Sequence, residues 1–146
     1  MKHITLKTLT LLVLFVMLAA ASVSAQTTGQ MKISIPFDFV AGKTKLTAGE
    51  YQVSRFAEKV LALRRLNDGK KILVFAPYTV QRAGEDLPGR LMFHRYADQY
   101  FLTAIWTNGQ PIGKELSSSS AERHLARELA KTKTRSQSVE IVARAN

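Results

Sequence analysis

Met31-Lys32-Ile33-Ser34-Ile35-Pro36-Phe37-Asp38-Phe39-Val40 decides the fold. Met31, Ile33, Ile35, Phe37 and Phe39 fall on one face, and Lys32, Ser34 and Asp38 on the other. A period of two over such a run marks a half-buried strand. Pro36 lies on the polar face and has no N–H to give a ladder, which predicts an edge or bulged strand. Ala41-Gly42-Lys43 breaks the run, and Thr47-Ala48-Gly49-Glu50 makes a turn. Alternation resumes at Tyr51, with Tyr51 and Val53 inward and Phe56 out of phase. A bulge near Arg55 is expected to return Phe56 to the core side.

Residues 59–66 read as a further strand. Asn67-Asp68-Gly69-Lys70 is a hairpin turn with Asp-Gly at its centre, and residues 71–80 are the partner strand. A polar loop with Gly84, Pro88 and Gly89 follows. Residues 91–96 and 100–107 then flank Ala97-Asp98-Gln99 as another hairpin, closed by Asn108-Gly109. Trp106 shares its period-two face with Leu102 and Ala104 and is expected to be buried. Closely spaced strands without intervening helical pattern predict a mainly β fold, an antiparallel β-sandwich or small barrel of about six to seven strands.

The pattern changes after Ser117-Ser118-Ser119-Ser120. Ser119 and Glu122 stand in capping-box spacing, and Ala121, Leu125 and Leu129 follow at i, i+4 and i+8. This predicts one C-terminal helix over about residues 120–133, with a narrow apolar stripe laid on the sheet or across a barrel end. Residues 139–143 are expected to be a short last strand or a tail. The organisation is thus a β domain over residues 26–116, with the Ser-rich linker, helix and tail of residues 117–146 packed on it.

Residues 1–25 read as an address. Lys2 and Lys7 precede an apolar run over residues 9–21, and Val23-Ser24-Ala25 supplies a small-residue cleavage site before Gln26. The run is shorter than the roughly 20 residues of a spanning helix, so a cleaved signal peptide is expected in place of an anchor. No later segment is apolar enough to span a bilayer. The 146-residue chain suits one domain, and its 46% hydrophobic content supports a packed core. Loss of Lys2 and Lys7 takes the net charge from +10 to +8. Cysteine is absent, which excludes disulfides, thiolate metal sites and a cysteine nucleophile. Export without cysteine and without an Asn-x-Ser/Thr acceptor points to a bacterial periplasm or exterior.

Ile35-Pro36-Phe37-Asp38-Phe39-Val40, Leu46-Thr47-Ala48-Gly49-Glu50-Tyr51 and Leu91-Met92-Phe93-His94-Arg95-Tyr96, followed by Ile105-Trp106, carry a resemblance. Over most of residues 33–106 the chain resembles a group of small exported proteins of acidobacteria and related soil bacteria, whose function is uncharacterised. Thr47 stands where the usual form of that group has proline. The resemblance implies export and a compact domain, and it brings no catalytic residues with it.

Chemistry is sparse. His94 on its strand needs a carboxylate or hydroxyl within reach to act as a general base, and Asp98 is nearby only across a turn. His124 and Glu128 are i, i+4 on the helix without the second histidine of a helical zinc motif. Glu85-Asp86 is the only adjacent acid pair. Ser117 to Ser120 lack a Gly-x-Ser-x-Gly elbow, and linker plus helix cap accounts for them. Gly109-Gln110-Pro111-Ile112-Gly113-Lys114-Glu115 has three residues between glycines where a phosphate loop has four, and Glu115 replaces its Ser/Thr. No catalytic residue, metal or cofactor is assigned.

Basic residues gather at Lys59, Arg64, Arg65, Lys70 and Lys71, and again along the helix. The first group is expected to be a weak binding surface, arranged as a rim around the hairpin turn because Arg64 and Arg65 point to opposite faces. Its expected partners are anionic envelope polysaccharide or lipid headgroups. Nucleic acid is not expected, since no single-strand-binding signature is present. The leading expectation is an exported non-enzymatic binding or structural module of the cell envelope. The alternatives are a small apolar-ligand-binding barrel lined by Tyr51, Phe93 and Trp106, and a hydrolase using His94 with a loop acid.

Overall fold

The computed structural model describes residues 30–84, 87–132 and 136–143. The leader with its cleavage site, Glu85-Asp86 and Lys133 lie outside the described residues. The strands are β1 (Met31–Ile35), β2 (Phe39–Ala41), β3 (Thr44–Leu46), β4 (Gly49–Ala57), β5 (Val60–Arg65), β6 (Lys71–Phe75), β7 (Tyr78–Gln81), β8 (Arg90–Tyr96), β9 (Gln99–Trp106), β10 (Ile112–Glu115) and β11 (Gln137–Val142), with helix α1 (Ser120–Lys131) before the last. Four of them form one sheet in the order β1-β4-β5-β6. The other seven form a second sheet along β11-β8-β9-β10-β7, with β2 on β9 and β3 on β2. The fold is a β-sandwich with one C-terminal helix.

The strands are shorter and more numerous than the alternation alone predicts, because two long runs change sheets. After Ile35 the ladder stops at Pro36, which has no N–H to continue it. The chain then crosses to the second sheet, where Phe39 and Val40 pair in parallel with Tyr100 and Phe101. The phase survives the crossing, with Met31, Ile33, Ile35 and Phe39 all buried. The run over residues 71–80 does the same at Ala76-Pro77, so β6 ends one sheet and β7 the other. β10 was hidden by Gly113 and by Ile112, which is exposed. It pairs with β7 through Gly113↔Val80 and with β9 through Lys114↔Ile105.

Aromatic rings fill the space between the sheets. Phe39, Tyr51 and Phe93 are fully buried. Phe39 meets Tyr51 and Phe93 edge-on at 5.4 and 5.5 Å, while Phe37 stacks on Tyr100 at 3.8 Å. Edge-on pairs of this kind add stabilisation beyond the area they bury.

Two side chains lie elsewhere than the alternation placed them. The register of β4 against β5 does shift between Arg55 and Ala57, as a bulge requires. Phe56 nevertheless points away from the core and is 58% exposed. Trp106 is buried, but not beside Leu102. The β8–β9 register slips at Met92/Phe93, opposite Thr103, and a one-residue slip exchanges the faces. Leu102 and Ile105 therefore join the core between the sheets. Trp106 packs on the far side of the second sheet, with the Arg82 guanidinium 5.9 Å from its ring.

α1 begins as its capping spacing predicts, with Ser119 Oγ accepting from Glu122 N–H at 3.0 Å. It ends at Lys131 with Thr132 as C-cap. The tail is a strand: Val139 lies opposite Phe93 and Ile141 opposite Leu91 in the β8–β11 ladder, both turned toward the core.

Candidate functional site

Register, not sequence proximity, groups the cations. On the four-stranded sheet Lys32 pairs with Gln52, Gln52 with Arg64, and Arg64 with Lys71. These four positions form one row across β1, β4, β5 and β6, on the face turned away from the core. Adjacent strands are about 4.8 Å apart, so the row spans roughly 14 Å. Lys32, Arg64 and Lys71 are exposed. Among the described residues, none of the ion pairs uses any of the three.

Beside the row is a shallow depression of about 420 Å³, lined by Gln52, Ser54, Ala62, Arg64 and Lys71. Gln52 Nε2 donates to Gln30 Oε1 at 2.6 Å, which fixes one wall. Two guanidinium or ammonium groups, an amide and a hydroxyl thus surround a hollow open to solvent. Such a set provides donors and positive charge for a phosphate, sulfate or carboxylate.

The other basic residues singled out from the sequence are dispersed. Arg65 turns to the opposite face and closes the hairpin. Its guanidinium holds both carboxylate oxygens of Asp68, with Nε to Oδ1 at 3.0 Å, and also donates to Thr47 Oγ1. The Arg65 hydrogen bonds, with help from Lys70 N–H at 3.0 Å, pull the Asp68 carboxyl down to about 2. Asp68 in turn holds Arg65 above its ordinary value. Tyr51 completes the knot by donating its hydroxyl to Thr47 O at 2.5 Å, and burial pushes that phenol up. Lys70 sits in the turn itself. Lys59 lies in the β4–β5 turn at the far end of the sheet, where its carbonyl accepts from Ala76 N–H. The expected rim of five is therefore a row of three on the sheet face, with Arg65 withdrawn from it and Lys32 added. Lys32 was legible only as the polar half of an alternating strand.

A second polar cluster lies under α1. His94 Nδ1 is 3.2 Å from Glu122 Oε1, and the Glu122 side chain is 5% exposed. Glu122 is the one buried charged residue among those described. The sequence assigned Glu122 only to a capping box; its carboxylate instead faces β8. Tyr96 stands two residues along the same face, its phenol raised by burial and then by the Glu122 charge. Asp98, the acid nearest His94 in sequence, faces Arg95 at 3.6 Å. Ser119 Oγ is engaged as the helix cap. The cluster can orient an imidazole, and Ser138 stands opposite His94 in the β8–β11 ladder.

Tyr51, Phe93 and Trp106 do not converge. Tyr51 and Phe93 belong to the filled core, and Trp106 lies on the other side of the second sheet. No group of three or more His, Asp or Glu among the described residues is placed to hold a metal ion. No helix among them is long and apolar enough to cross a membrane.

Comparison with protein-family models, with curated proteins and with solved structures finds no match to this chain.

Proposed function

We propose that the protein is an exported, non-enzymatic binding module of the bacterial cell envelope, and that it takes anionic partners on the exposed face of its four-stranded sheet. The observation that carries this reading is the opposition of Arg64 and Lys71 across β5 and β6, with Lys32 in the same row and the depression over Ser54 and Ala62 beside it. Holding three cations in one row without carboxylate partners costs repulsion, which an anionic partner relieves. The net charge, +10 for the full chain and +8 without Lys2 and Lys7, favours the same class of partner at longer range.

Retention on an acidic polysaccharide column tests the reading. Wild type is expected to bind at low salt and elute as salt rises, because exposed charges are screened over about 8 Å at physiological ionic strength. Arg64→Glu/Lys71→Glu is expected to elute at much lower salt. Equal elution of the two proteins refutes the assignment of this face.

A second reading rests on His94, which meets a buried carboxylate of the kind that orients a general base. A hydrolase of this design loses ester or glycoside turnover on His94→Ala, whereas a binding module shows no turnover to lose.

A further inference from the structure

The same face carries an apolar band next to its cationic row. The next row along the strands is Ser54, Ala62 and Leu73, and the one beyond is Ala57, Val60 and Phe75 with the bulged Phe56 beside them. Successive rows are roughly 7 Å apart. Phe56, Leu73 and Phe75 are 58%, 52% and 60% exposed. Lys71 leans from the cationic row toward this band, its Nζ 4.8 Å from the centroid of the Phe56 ring. That contact fixes Phe56 on the outer face. Lys59 stands in the turn that borders the band. Phe56, Leu73 and Phe75 gather at the Lys71 side of the row, whereas Leu66 and Val142, also exposed, border a separate hollow with Lys32 and Glu50.

A contiguous exposed apolar patch marks an interaction surface. Here it also has a direction: Phe56 and Phe75 lie toward the β4–β5 turn and the Lys32, Arg64 and Lys71 row lies toward the hairpin, with Glu50 and Leu66 beyond it. A second copy of the chain would bring a second set of like charges to the contact. A polysaccharide would satisfy the cations and leave three large apolar side chains in water. A bilayer with anionic headgroups matches both bands. Aromatic and aliphatic side chains enter the headgroup–acyl boundary, while lysine and arginine meet the phosphates and keep their stems in the apolar layer.

We infer that the exposed face of the four-stranded sheet docks on anionic phospholipid bilayers, with Phe56, Leu73 and Phe75 entering the interface and Lys32, Arg64 and Lys71 contacting the headgroups. The inference rests on the anionic-partner reading above and narrows it to one partner.

The test uses the chain beginning at Gln26, which contains every described element, and vesicles of phosphatidylcholine with and without phosphatidylglycerol. Co-sedimentation is expected only with phosphatidylglycerol and is expected to fall with salt. Phe56→Ser/Phe75→Ser is expected to weaken vesicle binding by about tenfold or more, the loss expected when burial of two large apolar groups is forgone. Its elution from the acidic polysaccharide column should not change, and neither should its circular dichroism, since both rings are exposed. A Phe75→Trp variant should show a blue-shifted emission, quenched by brominated lipid, when vesicles are added. Vesicle binding by Phe56→Ser/Phe75→Ser equal to wild type overturns the bilayer inference and leaves the anionic-partner reading standing. Concentration-dependent dimerisation of wild type, lost in that variant and without vesicle binding, assigns the patch to a second copy and also overturns the inference. Failure of wild type to bind either vesicles or polysaccharide overturns both.

Discussion

Asp38 Oδ1 accepts a 2.9 Å hydrogen bond from the backbone N–H of Ala48, ten residues further along the chain. The bond ties the crossover between the sheets to the turn that launches β4. On either side of Asp38 the chain is held by apolar contacts, with Phe37 stacked on Tyr100 and Phe39 against Tyr51. Asp38→Ala leaves those contacts and removes only the acceptor. It is expected to cost about 1 kcal/mol, the net value of an ordinary hydrogen bond and below that of most bonds to charged groups because the site is exposed. Asp38→Asn keeps an acceptor and is expected to recover most of the loss. Urea denaturation of the three proteins measures this; identical midpoints would show that the bond contributes nothing.

Gly113 on β10 has an ordinary backbone conformation, and space alone requires glycine there. A Cβ at this position would stand 2.6 Å from Trp106 Nε1, closer than real Cβ contacts allow. Gly113→Ala is expected to cost about 1–3 kcal/mol through overpacking. Trp106→Ala is expected to cost about 3–5 kcal/mol. Because one ring mediates both effects, the double variant should lose less than the sum. Trp106 Nε1 is buried without a hydrogen-bond partner, so Trp106→Phe should be far milder than Trp106→Ala. Thermal melts of the four variants decide it, and strict additivity would place the collision elsewhere.

The Arg65–Asp68 clasp makes the hairpin sensitive to acid. Asp68 lies at about 2 in the folded chain, against an ordinary 3.8. A depressed carboxyl stabilises the fold fully above its unfolded value and loses that contribution as pH falls through the folded one. The stability difference between wild type and Asp68→Asn should therefore be flat at and above about pH 5 and close between 3.8 and about 2. Denaturation across that range checks the window. A difference that persists unchanged at the acid end would mean that Asp68 acts through its turn geometry and not its charge.

Cleavage before Gln26 is the expected maturation. Intact mass of the protein recovered from a bacterial envelope fraction should correspond to a chain beginning at Gln26. A full-length species held in the membrane would contradict the reading of residues 1–25.

Legibility in the sequence followed the range of each interaction. Alternation in residues 31–35 and 51–54, the Asp68-Gly69 turn and the Ser119 cap are local, and each appears where the pattern put it. The sheet changes at Pro36 and Pro77 were not legible, because a strand keeps its phase when it crosses from one sheet to the other. The slip opposite Thr103 is a property of two paired strands, so one strand's alternation could not show that Trp106 leaves the face of Leu102. The candidate site was half visible. Arg64 and Lys71 are linked by a hairpin that the sequence shows. Lys32 joins them only through the β1–β4 and β4–β5 registers. Phe56 was expected inward through a bulge near Arg55, and although the register shifts there, the ring stays on the outer face. The spacing of Glu122 fits a cap, and only the docking of α1 on β8 reveals its contact with His94.

That contact is asymmetric, and the asymmetry predicts its energetics. The His94 side chain is 44% exposed, whereas that of Glu122 is 5% exposed. Removing His94 strands a buried carboxylate without its 3.2 Å partner, and an unsatisfied buried acceptor costs about 1–3 kcal/mol. Glu122→Gln leaves the Ser119 cap intact, since the capped group is the backbone N–H, and keeps an oxygen facing the imidazole. His94→Ala should therefore destabilise more than Glu122→Gln, and a cycle of His94→Ala with Glu122→Ala should show a coupling of about 0.5–3 kcal/mol. The loss should be local. α1 is otherwise held by half-buried Leu125 and Leu129, so His94→Ala should speed hydrogen exchange in the helix before it affects β4 or β5. Equal exchange in the helix of wild type and His94→Ala would show that the leucines alone hold it, and would leave the His94–Glu122 pair without a structural role.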